Sequence, residues 1–408
     1  MKPYFTTFFL LFLFVLPFSA YAQDSIRFDE SGLESVIQRA KMEKKPIFYM
    51  AYADWCPHCK NIKATTLKDP EVVSFMNANY VFAGLNFEKP GSEDFKTKYN
   101  VKTFPTFLVL DENGQELARF TGELKKDKFL SEVKLALNPK QQLPYLKAEY
   151  EKDKTNGLNL MRYLVALKKG KDRNELNPIA HEYFEKLTDD KIVNEVNWKI
   201  FTNGVSDIAS REYQFVITNQ QAFAAITSQK RVNDKFKNSV MELLKPVVKT
   251  NDVANYKKQR AIAKTINSPM IDSLLFQYDL DHYEFNSNWN EYKKVAAADI
   301  KKYVWNSPKE IKSIVLNVMR NSTDAPSLNQ SLSWIKHSNE LEESYDGILL
   351  EARVHRKLNN IPIAITITKK AKAFSTQMGW DGKEADKLLA DLLERKKIAA
   401  KPAAKTKK

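Results

Sequence analysis

The segment that most limits the fold is a short apolar run that leads directly into two cysteines. Ile47 to Tyr52 is continuous and partly aromatic, as expected of a central strand that is covered on both faces. From Pro57 onward the apolar residues recur at helical spacing, which predicts a helix. Cys56 therefore lies just after the strand, at the N-terminal end of the helix.

The surrounding sequence predicts an α/β sandwich with a mixed sheet over residues 23–138. Asp69 followed by Pro70 is typical of a helix start, because Asp accepts hydrogen bonds from unpaired N–H groups and Pro has no N–H to leave unpaired. Strands alternate with helices, and a hairpin turn at 111–114 precedes the last strand. The predicted strands are 47–52, 80–87, 104–110 and 117–120, and the predicted helices are 33–44, from 57 onward, from 70 onward, 94–99 and 126–137.

Beyond residue 138 the pattern becomes helical. Apolar residues recur every three or four positions and strand signals are sparse, which predicts an all-helical region over residues 139–396. Residues 345–358 and 363–378 resemble a tetratricopeptide-type hairpin only loosely, because the full repeat consensus is absent. Such a region either offers a concave surface to another protein or packs as a cap on the first domain. Residues 397–408 are predicted to form a basic, disordered tail.

The first 22 residues have the pattern of a secretory signal peptide. Lys2 precedes an almost uninterrupted apolar run from Tyr4 to Phe18, and Ala20-Tyr21-Ala22 is a small-residue cleavage site. The alternative is an uncleaved membrane anchor, which normally needs about 20 apolar residues. Cleavage after Ala22 predicts a soluble mature chain that is located in the periplasm or secreted.

The charge balance is basic, with a formal net charge of +14 over 408 residues. Seven positive side chains follow Glu394, so half of the excess lies at the C-terminal end. A tail of like charges is usually solvated, although it can be attracted weakly to an anionic membrane surface. Because the chain is predicted to be exported, nucleic acid is not expected as a partner.

The only two cysteines of the chain, Cys56 and Cys59, lie three positions apart. Short loops gain little chain entropy from a disulfide, so the pair indicates reactivity rather than a structural crosslink. In thiol–disulfide exchange a thiolate attacks a substrate sulfur, and a second thiol resolves the mixed disulfide. A helix N-terminus lowers the pKa of a thiol from about 8.5 into the ~3.5–7.5 range. This predicts Cys56 as the attacking residue and Cys59 as the resolving residue.

The two residues between the cysteines are also predicted to contribute. Pro57 fixes the first turn of the helix, and a protonated His58 would stabilise the Cys56 thiolate. The other four histidines have no visible ligand partners and are interpreted as structural. A structural zinc site needs four ligands and the chain has no second cysteine pair, so neither a metal nor another cofactor is predicted.

A second motif lies at the start of the third predicted strand. Thr103-Phe104-Pro105-Thr106 places a proline where it would normally remove a hydrogen bond of the sheet. A cis peptide bond between Phe104 and Pro105 would explain this position and would present the backbone of Phe104 to a substrate peptide. Trp55, Phe104 and Pro105 are therefore the predicted substrate-binding residues.

These motifs resemble those of the thioredoxin superfamily, and in particular the C-terminal thioredoxin-like domain of the disulfide interchange protein DsbD. The resemblance covers residues 24–138, about a quarter of the chain. The matching stretches are Lys45-Pro46, Tyr52-Ala53-Asp54-Trp55-Cys56, Cys59-Lys60, Thr66-Leu67, Asp69-Pro70-Glu71-Val72, Phe104-Pro105-Thr106 and Gly114-Gln115-Glu116. The resemblance implies the thioredoxin fold, a cis proline at Pro105 and the nucleophile at Cys56.

Two features depart from that family. Six residues before the first cysteine, where the family has a buried acid that assists proton transfer at the resolving thiol, this chain has Met50. Asp54 is expected closer to the surface, and Asp54 and Lys60 are assigned only supporting roles. The dipeptide Pro57-His58 is similar to that of the periplasmic oxidase DsbA, whereas reductive thioredoxins usually carry Gly-Pro. Reduction potentials in the superfamily range from about −270 to about −120 mV, so the direction of the reaction stays open.

The function predicted from the sequence is an exported thiol–disulfide oxidoreductase, a reductase or isomerase acting on protein or peptide thiols and disulfides in the cell envelope. With two cysteines in the whole chain, it needs a separate redox partner for recycling. One alternative is a client-binding or scaffolding protein that uses the helical region, although retention of both cysteines favours catalysis. The other alternative is a DsbA-like oxidase, whose family carries a helical insertion that this thioredoxin-like segment lacks.

Overall fold

The computed structural model describes residues 25–399, apart from residues 27, 171 and 172. The predicted signal peptide, and the predicted tail from residue 400 onward, lie outside the described residues. The chain divides into two compact units, one ending at Asp207 and the other beginning at Ile208. The domain boundaries predicted at residues 138 and 396 stay predictions.

The described part of the first unit contains a four-stranded mixed sheet. Its strands are β1 (Ile47–Tyr52), β2 (Val81–Asn86), β3 (Thr106–Leu110) and β4 (Glu116–Thr121), in the spatial order β2-β1-β3-β4. β1 runs parallel to β2 and antiparallel to β3, and β3 runs antiparallel to β4. The four predicted strands are confirmed.

Helices flank this sheet in the order that the sequence predicts. They are α1 (Leu33–Glu43), α2 (Pro57–Ala64), α3 (Pro70–Asn79), α4 (Glu93–Tyr99) and α5 (Lys126–Ala136), with a short 3-10 helix at Thr66–Lys68. The Asp69 carboxylate accepts hydrogen bonds from the N–H groups of Glu71 and Val72, so the predicted cap of α3 is present. The mixed sheet and its helices form the expected thioredoxin fold.

Strand β1 is buried along its whole length, because its apolar run is covered on both faces. Phe48, Met50 and Tyr52 face the same core as the two cysteines. The residues between them face a separate core on the other side of the sheet. The Phe48 ring lies 4.9–5.8 Å, between centroids, from the rings of Tyr80, Phe82, Phe107, Phe120 and Phe129. This packing fixes the position of the strand that leads into the cysteines.

Further helices complete the described part of the first unit. They are α6 (Leu143–Lys152), α7 (Gly157–Leu167), α8 (Arg173–Phe184) and α9 (Glu195–Gly204). Helix α6 packs against the edge strand β4, and the Lys169 ammonium lies 2.9 Å from the Glu132 carboxylate of α5. Helix α6 thus covers one edge of the sheet, where unpaired backbone groups would otherwise be exposed.

The described residues of the second unit are helical and contain no strand. The helices are α10 (Arg211–Thr218), α11 (Gln220–Ile226), α12 (Gln229–Val248), α13 (Val253–Lys264), α14 (Pro269–Phe285), α15 (Trp289–Tyr303), α16 (Pro308–Asn321), α17 (Ala325–Leu341), α18 (Tyr345–Lys357), α19 (Ile361–Gln377) and α20 (Lys383–Ala399). Consecutive helices pack together, as in the pairs α16/α17 and α18/α19. The predicted helical region is confirmed, whereas the resemblance to tetratricopeptide repeats is not.

No helix in the described part of the chain has both the length and the apolar composition needed to cross a membrane.

Candidate active site

Cys56 and Cys59 form a disulfide, with their Cα atoms 5.3 Å apart. Cys56 is the N-cap residue of α2 and Pro57 is its first helical residue. The backbone N–H of Cys59 donates a hydrogen bond to the Sγ atom of Cys56, with a donor–acceptor distance of 3.1 Å. The Cys56 sulfur therefore occupies the N-terminal end of the helix, where unpaired N–H groups and the helix dipole favour negative charge.

Both cysteines are buried, Cys56 with 2% of its surface exposed and Cys59 with 1%. The residues that flank Cys56 in the chain, Trp55 and Pro57, are exposed, and so is His58. A substrate sulfur must therefore reach Cys56 past this exposed rim. Cys59 lies three residues after Cys56, in the first turn of α2, and belongs to the core.

The predicted substrate-binding residues lie together beside the cysteines. Trp55 is 66% exposed, and its ring lies 5.9 Å from the ring of Phe104, edge to face. The peptide bond between Phe104 and Pro105 is cis, as expected. The Phe104 ring also packs against Phe87, with 5.1 Å between centroids. An exposed indole beside a half-buried phenyl ring gives this rim an apolar character that suits polypeptide binding.

His58 is bound by a carboxylate that the sequence did not identify. Its Nδ1 atom lies 2.8 Å from the Oε2 atom of Glu123, and the amide of Asn61 donates to the other oxygen of that carboxylate. These hydrogen bonds, led by the one from His58, hold the pKa of Glu123 below its usual value. Glu123 thus connects the segment after β4 to helix α2.

The segment that carries Glu123 also contacts the cis-proline loop. The N–H of Gly122 donates to the carbonyl oxygen of Pro105 at 2.9 Å, and the hydroxyl of Thr66 donates to the carbonyl oxygen of Leu124 at 2.8 Å. Gly122 has a φ of 85°, a conformation that favours glycine. Segments distant in the sequence therefore meet around the cysteines.

The predicted supporting residues lie at the surface, and Met50 is fully buried. The Asp54 carboxylate accepts a hydrogen bond from the Asn86 amide at 2.8 Å, and the Asp54 N–H donates to Glu88 at 2.5 Å. Lys60 is exposed, and its backbone N–H donates to the carbonyl oxygen of Cys56. The apolar side chain of Met50 thus occupies the strand position where an acid was expected.

The histidines of the helical region have structural contacts. His282 is fully buried and stacks on Tyr256 at 3.9 Å, and His337 stacks on Trp305 at 3.8 Å. The described residues contain no group of three or more His, Cys, Asp or Glu side chains placed to hold a metal ion.

Fold and site together define a thioredoxin-like domain with a disulfide at the helix N-terminus. Residues 33–137 match the profile of the thioredoxin-like domain family. The thiol:disulfide interchange protein DsbD of Campylobacter jejuni is 28% identical over 104 residues, which are 25% of this chain and 18% of that protein. DsbD of Haemophilus ducreyi is 31% identical over 111 residues, which are 24% of this chain and 19% of that protein.

One solved structure similar to this chain is the C-terminal domain of DsbD from Neisseria meningitidis in its oxidised form. It is 25% identical, covers 25% of this chain and 89% of its own, and has a TM-score of 0.23. Residues 33–137 of this chain thus form a thioredoxin-like domain that is similar in sequence to part of DsbD. The chain spans less than a fifth of the length of the two curated relatives.

Proposed function

We propose that this protein is an exported thiol–disulfide oxidoreductase that reduces or rearranges disulfides of proteins or peptides in the periplasm. The observation that carries the proposal is the hydrogen bond from the Cys59 N–H to the Cys56 sulfur at the start of α2. A thiolate at that position is stabilised by the backbone and the helix dipole, so Cys56 is ionised more readily than a free cysteine.

In the reductive direction the Cys56 thiolate attacks one sulfur of the substrate disulfide. A bond forms between Cys56 and that sulfur, the substrate S–S bond breaks, and the second substrate sulfur leaves as a thiolate and takes up a proton. Cys59 then loses its proton and attacks the Sγ atom of Cys56. The Cys56–Cys59 disulfide forms, the first substrate sulfur leaves and is protonated, and two electrons have passed to the substrate.

The other site residues have distinct roles in this scheme. Pro57 fixes the first turn of α2, and a protonated His58 supports the Cys56 thiolate. Trp55, Phe104 and Pro105 bind the substrate chain, with the backbone of Phe104 pairing with it. Asp54 and Lys60, which flank the cysteines in the chain, have supporting roles in this proposal.

The proposed location and partners follow from the sequence. The apolar N-terminal segment with its small-residue cleavage site supports export to the periplasm. After each reduction the Cys56–Cys59 disulfide must be reduced again, and a separate redox partner of the envelope supplies those electrons. The basic C-terminal residues add at most a weak attraction to an anionic membrane surface.

The test of catalysis is the reduction of insulin by dithiothreitol. The wild-type chain should accelerate the reaction, and Cys56→Ser should remove the acceleration. Lys230→Ala, which changes only an exposed ion pair of the second unit, should behave as wild type. Equal rates for the wild type and Cys56→Ser would reject catalysis and favour a client-binding protein.

A disulfide oxidase is the second candidate, because Pro57-His58 is similar to the central dipeptide of DsbA. The reduction potential of the Cys56–Cys59 pair, measured against glutathione, separates the two directions. A potential near about −270 mV selects a reductase, and one near about −120 mV selects an oxidase.

A further inference from the structure

Helix α2 carries a lysine on the face that holds the resolving cysteine. Lys63 follows Cys59 by four residues, so the two side chains are neighbours on one helix face, with Cβ atoms about 5–6 Å apart. Cys59 is buried, and Lys63 is half-buried. Lys63 therefore places a titratable group one turn from Cys59.

The Lys63 ammonium lies against aromatic rings. Its Nζ atom is 3.0 Å from the centroid of the Tyr52 ring and 5.2 Å from that of the Phe28 ring. Tyr52 follows Met50 by two residues on β1, and both belong to the core that contains Cys59. In the described part of the chain, no carboxylate forms an ion pair with Lys63. Burial lowers the pKa of this lysine below its usual value.

Three other charged groups act on Lys63 from neighbouring segments. The negative charges of Glu30 and Asp54 raise the pKa of Lys63 and so oppose the effect of burial. The positive charge of Lys89 lowers that pKa, as burial does. Glu30 is itself bound by the Tyr52 hydroxyl and by the Lys89 ammonium, which lies 2.7 Å away. Glu30 is therefore engaged with other groups, and Asp54 is bound by the Asn86 amide, so neither forms an ion pair with Lys63.

Partial burial removes water from the Lys63 ammonium group, and the cation–π contact with the Tyr52 ring offsets part of this loss. A methionine at this position would cover the Tyr52 ring but would make no cation–π contact. The ammonium group gains a further favourable partner when a negative charge forms nearby. During exchange, the Cys59 sulfur, one turn away on α2, becomes negative.

We propose that Lys63 is a positioning residue for the resolving step, whose ammonium group stabilises the Cys59 thiolate. This inference rests on the proposed function. During resolution the Cys59 thiol gives its proton to water, and the thiolate attacks Sγ of Cys56. The new S–S bond forms as the bond between Cys56 and the substrate breaks, and the departing substrate sulfur takes the electron pair and then a proton. Lys63 neither gives nor takes a proton in this sequence, because its charge alone favours the thiolate.

The direct test measures the ionisation of Cys59. In the full chain with Cys56→Ser, Cys59 is the only thiol, and the ultraviolet absorbance of its thiolate is followed against pH. Adding Lys63→Met should raise the pKa of Cys59 by about one unit, since a nearby opposite charge favours the ionised form of a thiol. Lys63→Arg should restore the wild-type value.

The matched control is Lys134→Met. Lys134 also lies over an aromatic ring, that of Phe75 at 5.4 Å, but on α5 and outside the site. Its replacement should leave the pKa of Cys59 unchanged. Lys63→Gln serves as a second neutral variant if Lys63→Met does not fold, which circular dichroism detects.

The outcomes separate this inference from the proposed function. If the Lys63 variants titrate like the Lys134 control while the wild-type chain reduces insulin, the role of Lys63 is rejected and catalysis stands. If the wild type does not reduce insulin, the proposed function fails whatever the pKa of Cys59. In an active chain, Lys63→Met should also accumulate mixed disulfides with substrate at neutral pH, because resolution is slowed.

Discussion

At the scale of single residues, the site depends on one carboxylate that joins two segments. Glu123 accepts hydrogen bonds from His58 and Asn61, both on α2, while its neighbour Gly122 is bonded to Pro105. An exposed histidine between two cysteines would otherwise sample many orientations. The contact between its Nδ1 atom and the Glu123 carboxylate holds the ring beside the segment that follows β4.

This carboxylate should make stability depend on pH. The folded state lowers the pKa of Glu123, so its contribution is fully present above the usual value of 4.5 and is lost as the pH falls through the lower, folded value. Glu123→Gln should therefore be less stable than the wild type near pH 7, and the difference should shrink near about pH 3. Urea unfolding at the two pH values measures this.

Glu112→Gln is the control for that measurement. Glu112 lies in the exposed turn between β3 and β4, and its replacement should give the same urea midpoint as the wild type at both pH values. A difference between wild type and Glu123→Gln that stays constant with pH would contradict the electrostatic role.

At the scale of elements, strand β1 connects the core to the site. The ring of Phe48 contacts five other rings, and the strand that carries it ends four residues before Cys56. Helix α2 then starts at Pro57 and presents its N-terminus to the sulfur. The position of Cys56, the predicted nucleophile, therefore depends on the packing of β1.

Truncating the central ring tests this dependence. Phe48→Ala should destabilise the first unit by about 3–5 kcal/mol, because it removes buried contacts and leaves a cavity. Met42→Ala, on the exposed side of α1 with 76% of its surface accessible, should change stability by less than about 0.5 kcal/mol. Chemical denaturation followed by circular dichroism measures both. Similar effects for the two variants would contradict the packing argument.

At the scale of the whole molecule, the second unit has polar as well as apolar internal contacts. The Asp279 carboxylate is 4% exposed and accepts hydrogen bonds from both Nε and Nη2 of Arg260 and from the Tyr256 hydroxyl. These bonds join α13 to α14. Removing one partner leaves the remaining polar groups inside the helical unit without their hydrogen bonds, which costs free energy of folding.

Asp279→Asn should destabilise the second unit by about 2 kcal/mol. This loss is smaller than that expected for a fully buried ion pair, because the Arg260 side chain is partly exposed to solvent. Asp234→Asn is the matched control, since it removes a carboxylate from an exposed ion pair with Lys230. Thermal unfolding followed by circular dichroism compares them. Insulin reduction should be unchanged in both variants below the melting temperature, because the predicted catalytic residues lie in the first unit.

The sequence by itself determined the secondary-structure elements of the thioredoxin-like domain and the place of the two cysteines at a helix start. Local patterns sufficed for β1, for the cap at Asp69 and for the position of Cys56 at a helix start, because each depends on neighbours within a few residues. The helical character of the C-terminal region followed from the same short-range periodicity.

The tertiary structure alone decided which distant residues meet at the site. Glu123 lies 65 residues from His58, and no spacing in the sequence indicates that the two should touch. The aromatic contact of Lys63 with Tyr52 likewise exists only because α2 packs on β1. Such contacts depend on the folding of the backbone between them, which local propensities do not specify. The sequence therefore reveals the cysteine pair, and the packed fold decides which charged side chains lie near it.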